Sequence, residues 1–237
     1  MQSSRREIQQ NIAGFIVGEE KVLVIDTGAN RFAAQTIYGY ASSVGRGRRI
    51  LAINTEQHLD HIGGNGLFRE NQLDIYGHYK INRTTADLAS MTREYNECIP
   101  NLIRRNRNEA EFLFTDAEIY NPNILLKSDT VIQLGRIEAH VIFTPGHTHT
   151  NLSVYVPSEE ILYCGDCILK SYLPNLESGN IVDWEIWLES LLKLQNLNLS
   201  TVVPGHGEIL QGSEITKAFD WTRGIIEEAV SSGVAPT

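Results

Sequence analysis

Cysteines are scarce in this sequence, and long apolar runs are absent from it. Three cysteines in 237 residues cannot form the disulfide framework of a secreted protein of this length, so we expect a reducing compartment, with the cytoplasm as the default. No run of about 20 apolar residues occurs, and residues 1–6 lack the apolar stretch of a secretory signal, so we expect no membrane segment. A signal removed ahead of residue 1 would leave no trace in this sequence.

Basic residues are the minority charge. The chain has 20 Lys and Arg against 29 Asp and Glu, which gives a formal net charge of −9 at pH 7. Because an acidic surface repels phosphate backbones, we expect no nucleic-acid partner. The hydrophobic content of 42% and the length allow one globular domain with a sizeable core. The composition leaves the oligomeric state open, and a homodimer is one option.

The loop at 55–65 follows a short apolar run and carries an unusual density of metal-ligand side chains. Four of them lie within six residues: Glu56, His58, Asp60 and His61. Glu56 and His58 stand two apart and project to the same side of an extended chain, whereas Asp60 and His61 are adjacent and would be aimed differently by a turn. One loop could therefore serve two metal ions. A coincidental polar loop is the alternative, but clusters of His and carboxylate groups mark functional sites.

Apolar periodicity and turn residues predict alternating strands and helices. The predicted strands are 12–17, 22–25, 50–53, 73–76, 130–134, 137–143, 152–156, 161–164 and one from Thr201; the helices are 31–43, a short one through Phe68, an irregular stretch within 80–114, 180–196 and 213–230. Several strands end immediately before ligand-type residues, as expected where rigid sheet edges hold a site. Trp184 and Trp187 of the helix at 180–196 are predicted to be core residues.

The loop at 55–65 resembles the T-H-x-H-x-D-H signature of the metallo-β-lactamase fold hydrolases, with Glu56 where the first His normally stands. Three later segments are similar to that family's motifs, in the family's order: Thr144-Pro145-Gly146-His147-Thr148, Gly165-Asp166 and Pro204-Gly205-His206-Gly207. The resemblance runs from Asp26-Thr27-Gly28 to Gly207. It implies an α/β (α+β) fold, an αββα sandwich of two mixed β-sheets flanked by helices, in one domain spanning 1–237 with a helical lid or pocket insertion at about 80–128.

The resemblance also implies two divalent metal ions and their ligands. One ion would take Glu56, His58 and His147, the second Asp60, His61 and His206, and Asp166 would bridge both. We expect zinc, with iron or manganese as the alternatives, because Glu56 adds an oxygen donor where the family has an imidazole. The same substitution removes one unit of positive charge, so the bound water should be less acidic than with an all-His set.

Hydrolysis is the chemistry that this resemblance implies. A hydroxide bridging two metal ions would attack an ester, thioester, lactone or amide of a small soluble molecule. Asp60, or a metal-bound water that it orients, would pass a proton to the leaving group. Asp166 is more similar to the glyoxalase II-like and lactonase-like branches than to the β-lactamases, which makes β-lactamase activity the lesser option. The alternatives are an iron-dependent oxidoreductase resembling persulfide dioxygenases, and a non-catalytic metal-binding protein, for which Glu56 is the motivating residue.

Five further residues are candidates for supporting ligands or contacting substrate: Asp26, Thr55, Asn65, His149 and Tyr172. Asp26 would hydrogen-bond a ligand or its loop, or else cap the helix from Arg31. Asn65 would be a helix cap or a polar site residue, and His149 a loop or supporting histidine. Tyr172 would be a partner of the oxyanion or leaving group.

The segment Cys164-Gly165-Asp166-Cys167 has the spacing of a CxxC motif. A second CxxC that would complete a zinc site is missing from the sequence, and no redox-fold pattern surrounds this one. The sequence therefore disfavours a redox or thiolate-metal role for these two cysteines.

Overall fold

The computed structural model describes residues 11–98, 118–170, 176 and 179–235. The chain divides into two compact units. The amino-terminal unit comprises the described residues of Ala13–Lys127 with Gln133–Ile137, and the carboxy-terminal unit those of Met1–Ile12, Ser128–Ile132 and Glu138–Thr237. Each unit contains one mixed β-sheet with its own helices. That the units form one domain with an insertion at 80–128 stays a prediction.

The sheet of the amino-terminal unit has the strand order β1-β2-β3-β4-β5. Its elements are β1 (Gly14–Val17), β2 (Lys21–Ile25), α1 (Arg31–Gly45), β3 (Arg49–Ile53), α2 (Leu59–Ile62), α3 (Asn65–Glu70), β4 (Asp74–His78), α4 (Thr85–Cys98) and β5 (Ile124–Leu126). The hairpin of β1 and β2 is antiparallel, and the pairs from β2 to β5 are parallel. The last four residues of β2 and of β3 are all buried, as is typical of strands covered on both faces.

Helix α1 covers this sheet and illustrates the local signals that fix an element. It begins after Asn30, whose side chain accepts a hydrogen bond from the backbone N–H of Ala33 at 2.9 Å. Such a cap contributes about 1 kcal/mol. Ala34 and Ala41 are fully buried in one apolar cluster with strand residues, because small side chains let the helix approach the sheet. The helix predicted at 31–43 is confirmed and ends at Gly45.

The sheet of the carboxy-terminal unit has the order β11-β10-β9-β8-β7-β6. Its elements are β6 (Thr130–Gln133), β7 (Glu138–Phe143), β8 (Leu152–Val156), β9 (Ile161–Gly165), α5 (Ile181–Gln195), β10 (Thr201–Pro204), β11 (Leu210–Gln211) and α6 (Ser213–Ser232). Strands β7, β8 and β9 pair antiparallel, β9 and β10 pair parallel, and β11 is antiparallel to β10. The prediction of two mixed sheets with flanking helices is confirmed.

Helix α5 packs its apolar face into the core of the carboxy-terminal unit. Asn180 and Asp183 form a reciprocal capping box at its start. Trp184, Trp187 and Leu191 are buried in one cluster with residues of β9, β10 and α6. The sequence missed β5 and β11, since strands of three and two residues are too short to show an alternating pattern. Within the part of the chain that the structure describes, no helix is both long enough and apolar enough to span a membrane.

Candidate metal centre

Strand direction places the candidate residues of the amino-terminal unit at one sheet edge. Strands β2 and β3 are parallel neighbours, with Ile25 paired to Ile53. Their carboxyl ends therefore lie side by side. Asp26 follows the first strand and the loop at 55–65 follows the second, so two segments distant in sequence meet at this edge.

Asp26 organises the loop through hydrogen bonds. Its Oδ1 accepts from the backbone N–H of Thr55 at 2.7 Å, and its Oδ2 accepts from Thr55 Oγ1 at 2.8 Å and lies 2.9 Å from His61 Nδ1. The residue has a φ of 61°, in the left-handed region that costs a non-glycine residue about 1–2 kcal/mol. Of the two roles that the sequence left open for Asp26, the structure shows the contact with the loop, and Asn30 caps α1.

His61 is fully buried, and its two ring nitrogens have different surroundings. Nδ1 faces the carboxylate of Asp26, which fixes the hydrogen on that nitrogen and leaves a lone pair on Nε2. Nε2 lies 3.3 Å from Glu56 Oε1 and 3.7 Å from Asp60 Oδ2. This is the tautomer in which a metal-binding histidine is usually held by a carboxylate behind it.

Glu56 is fully buried and is directed at two histidines. Its Oε2 lies 2.9 Å from His58 Nδ1, and its Oε1 faces His61. Burial alone would lower the pKa of His58, but the charge and hydrogen bond of Glu56 together with the charge of Asp60 outweigh it and raise the pKa above its ordinary value. A carboxylate without exposure to water needs a cation beside it, and protonated imidazole or a metal ion would serve.

A buried polar network holds the backbone carbonyl group of His61 in place. The carbonyl oxygen of His61 accepts from Thr27 Oγ1 at 3.1 Å and from Asn54 Nδ2 at 3.2 Å. Asn65 accepts from both of these side chains and donates to Asn54 Oδ1 at 2.8 Å and to the carbonyl oxygen of Tyr120 at 2.7 Å. Asn65 thus supports the ligand loop, while Asn54, the first polar residue after β3, was missed because a single asparagine after a strand is no specific signal.

Two adjacent glycines let the segment after Asp26 approach the loop. A Cβ at Gly63 would lie 2.2 Å from the carbonyl oxygen of Ala29, and one at Gly64 would lie 2.1 Å from that of Thr27. Neither position has room for a side chain, so the Gly63-Gly64 pair is required by backbone contact rather than by turn geometry.

Arg83, near the start of the segment predicted as an insertion, hydrogen-bonds both to the loop at 55–65 and to Asn121 near the end of that segment. Its Nε donates to the carbonyl oxygen of Gln57 at 3.1 Å. Asn121 accepts from the backbone N–H of Arg83 at 2.8 Å and donates to its carbonyl oxygen at 3.0 Å. Leu88 of α4 packs against the buried cluster of Ala29 and Leu59, and Leu59 stands between two ligand candidates. Sequence reasoning missed Arg83 and Asn121, since their partners lie 26 and 38 residues away.

The carboxy-terminal unit places its three ligand candidates at one sheet edge. Strands β7, β9 and β10 run in the same direction, because β8 is antiparallel to both β7 and β9 while β10 is parallel to β9. Each strand ends shortly before a candidate: His147, Asp166 and His206. Asp166 Oδ2 lies 3.6 Å from His147 Nε2 and 3.4 Å from His206 Nε2. One carboxylate oxygen therefore faces two imidazole nitrogens, at distances beyond the usual range of an N–H···O hydrogen bond.

Polar contacts join the loops that carry His147 and Asp166. Asn151 is fully buried and donates to Thr144 Oγ1 at 3.1 Å and to the carbonyl oxygen of Cys164 at 3.3 Å. His149, two residues after His147, is exposed. Tyr172 lies outside the described residues.

The thiols of Cys164 and Cys167 are free and buried. Burial raises the pKa of Cys164 well above its ordinary value and raises that of Cys167 to about 12. Both are therefore neutral thiols at physiological pH, and neither is an activated nucleophile.

The side chains of both units fit divalent metal ions. The chain carries groups of His, Asp and Glu that could hold an ion. The members of these groups in the amino-terminal unit are Glu56, His58, Asp60 and His61, and those in the carboxy-terminal unit are His147, Asp166 and His206. Imidazole nitrogens and carboxylate oxygens suit zinc, iron and manganese alike. The donor set therefore supports metal binding and leaves the identity of the metal open.

Comparisons with known proteins point to one family. A family model described as "Metallo-beta-lactamase superfamily" matches residues 9–206. The chain is 33% identical over 88 residues to the hydroxyacylglutathione hydrolase of Legionella pneumophila (strain Paris), a match that covers 37% of this chain and 34% of that protein. It is 24% identical over 216 residues to the acyl-coenzyme A thioesterase MBLAC2 of Gallus gallus, covering 80% of this chain and 69% of that protein. The chain thus spans about a third of the length of the first of these relatives.

Solved structures share the fold. A metallo-β-lactamase from Pontibacter korlensis superposes with a TM-score of 0.65 at 19% identity, covering 92% of this chain and 87% of that one. The DIM-1 metallo-β-lactamase gives a TM-score of 0.65 at 17% identity, covering 96% of this chain and 91% of that one. These identities are too low to transfer an activity, and the likeness shows that this chain has the metallo-β-lactamase fold.

Proposed function

Because the chain belongs to the metallo-β-lactamase superfamily, we propose that this metallohydrolase uses two divalent metal ions to hydrolyse an acyl bond in a small soluble substrate. A thioester is the first choice of substrate, and an ester, lactone or amide comes next. The observation that carries the proposal is Asp166, whose Oδ2 faces the imidazoles of both His147 and His206. Such a shared carboxylate suits a pair of ions. Two relatives named for acyl derivatives of glutathione and coenzyme A support the thioester.

The ligand assignment follows the family's motifs. We assign one ion to Glu56, His58 and His147, the other to Asp60, His61 and His206, and Asp166 to both. Metal ions of this kind, when bound, make water acidic enough to lose a proton near neutral pH and polarise the carbonyl that is attacked.

The chain's own residues have separate tasks in this reaction. Asp26 keeps the hydrogen of His61 on Nδ1, so that the lone pair of Nε2 is available to bind metal. Asp60, whose side chain is 13% exposed, would take the proton that the attacking water loses and pass it to the leaving group. For a thioester this demand is modest, because a thiolate leaves without full protonation.

Metal analysis and a substrate panel test this function together. The protein is purified without chelator, its zinc, iron and manganese are counted, and turnover is measured with a thioester, an aryl ester, a lactone and a β-lactam. We expect two ions per chain and the highest kcat/KM on the thioester. Asp166→Asn, which keeps the shape and removes the charge, should lose both metal and turnover, while Asp220→Asn at an exposed helical position should retain both. A chain that holds no metal, or holds two ions and cleaves none of these bonds, refutes the proposal.

An iron oxidoreductase is the second candidate, and Glu56 is the observation that favours it. A buried carboxylate directed at two imidazoles gives a harder donor set than imidazoles alone. Iron as the main metal, together with oxygen consumption in the presence of a persulfide and no turnover of any ester or thioester, would replace the hydrolase by this function.

A further inference from the structure

Trp187 contacts two of the three ligand loops of the carboxy-terminal unit, those of His147 and Asp166. The residue is 1% exposed and lies in the middle of α5. Its indole Nε1–H donates to the carbonyl oxygen of Cys167 at 2.9 Å, one residue beyond Asp166. Its ring meets the imidazole of His147 edge to face, with centroids 5.8 Å apart and planes at 65°. One side chain therefore touches the segments that carry His147 and Asp166.

The loop before His147 is fitted to this ring. A Cβ at Gly146 would lie 2.3 Å from Cγ of Trp187, so only glycine permits the observed approach. Ser190, one turn further along α5, donates from Oγ to the carbonyl oxygen of Pro145 at 2.6 Å. Helix α5 thus holds the loop at two successive residues, by packing and by a hydrogen bond.

We propose that Trp187, assisted by Ser190, is a positioning residue for the metal centre. Trp187 sets the ring orientation of His147 and the position of the Asp166 loop relative to that ring. Edge-to-face packing favours one orientation of the imidazole plane over the others. The indole hydrogen bond fixes a buried carbonyl group that would otherwise lose its partner, at a cost of about 1–3 kcal/mol. The inference rests on the proposed metal centre and goes beyond it in assigning a role to a residue that binds neither metal nor substrate.

Trp184 offers a matched control on the same helix. It is 5% exposed, belongs to the same apolar cluster, and its Nε1 makes no hydrogen bond within the described residues. If Trp187 acted only as a core residue, its replacement by phenylalanine would resemble that of Trp184. If it positions ligands, only its own replacement would change metal binding, by the 10-fold to 100-fold typical of groups that orient metal ligands.

The experiment compares wild type with Trp187→Phe, Trp184→Phe and Ser190→Ala. Zinc affinity is measured by competition with a chromogenic chelator, the melting temperature of the metal-free protein by circular dichroism, and ligand geometry by the visible spectrum of the cobalt-loaded protein. Both tryptophan variants should melt at lower temperature than wild type. We expect Trp187→Phe to weaken zinc binding about 10-fold or more and to alter the cobalt spectrum, and Trp184→Phe to leave both unchanged. Ser190→Ala should weaken zinc binding by a smaller factor.

Each outcome decides one point. Equal zinc affinity and equal cobalt spectra for wild type and Trp187→Phe would show that Trp187 is only a core residue and would overturn the inference. If Trp187→Phe does not fold, Ser190→Ala decides, since it removes one hydroxyl and little volume: weakened zinc binding supports the role of α5, and unchanged binding overturns it. A wild-type protein that binds neither zinc nor cobalt refutes the proposed function itself, which separates the two failures.

Discussion

Asp26→Asn should disturb the metal centre without touching a ligand. Asn occupies the same volume and adopts the left-handed backbone more readily than other side chains, so the φ of 61° is retained. Its Oδ1 can still accept from the backbone N–H of Thr55, but its amide N–H₂ then faces Thr55 Oγ1 and His61 Nδ1, where Asp26 Oδ2 now accepts. His61 can accept this hydrogen only by moving its own proton to Nε2, which removes the lone pair that would bind metal.

The magnitude follows from the bonds lost. Two buried contacts to a charged acceptor are replaced, each worth about 1.5–3 kcal/mol, and the Asn amide recovers part of this. We expect the metal-free variant to lose about 2–4 kcal/mol in free energy of unfolding and its zinc affinity to fall about 10-fold to 100-fold.

The assay measures both quantities and the tautomer itself. Urea unfolding gives stability, chelator competition gives zinc affinity, and nitrogen-15 NMR of histidine reports which nitrogen of His61 carries the hydrogen. Asp220→Asn, at an exposed position of α6, is the control for loss of one negative charge. Unchanged zinc affinity, or a hydrogen that remains on Nδ1, would refute the argument that Asp26 selects the tautomer.

The remaining predictions concern one ligand, the insertion and the thiols. Glu56→His should shift the rise of activity with pH to lower pH in the zinc-loaded enzyme, because an added positive charge favours deprotonated water; Glu56→Ala should lower metal content, and unchanged stoichiometry would remove Glu56 from the ligands. Replacing residues 92–116 by a short glycine linker should change which substrates are cleaved and leave metal content intact, because Leu88 and the hydrogen bonds between Asn121 and Arg83 are kept; loss of metal would show the segment to be structural. Arg83→Met should weaken zinc binding, because it removes the hydrogen bond to the carbonyl oxygen of Gln57. A zinc affinity equal to that of wild type would show that this hydrogen bond does not support the metal centre. Cys167 should resist a thiol reagent at pH 8 until the protein unfolds, because its pKa of about 12 keeps it a neutral, buried thiol; rapid labelling of the native protein would contradict its burial.

Much of the fold followed from local signals. The strands at 22–25, 50–53 and 152–156 were predictable because their buried residues are consecutive in sequence. The helices at 31–45 and 181–195 were predictable because apolar periodicity acts within one or two turns, whereas the cap of the first helix is Asn30 and not Asp26, which the sequence had offered. The family resemblance is confirmed by the match over residues 9–206, whereas the substrate, the metal and the partners stay predictions.

The sequence offered Asp26 as a support for a ligand or its loop, with a helix cap as the alternative, but it gave no partner for Ser190. Asp26 lies 35 residues from His61, and Ser190 lies 45 residues from Pro145. Both contacts depend on which strands are neighbours and on how a helix packs, and neither residue type marks such a role by itself. Trp187 was predictable as a core residue, but its contact with His147 was not.

By itself the sequence determined which residue types stand at the ends of which strands, because a motif such as the loop at 55–65 is continuous along the chain. Only the tertiary structure decided how those side chains are held. The parallel register of β2 and β3 sets Asp26 behind His61, and the packing of α5 sets Trp187 against His147. The physical reason is that a ligand's identity is a local property, whereas its tautomer and orientation come from hydrogen bonds and contacts that exist only once the chain has folded.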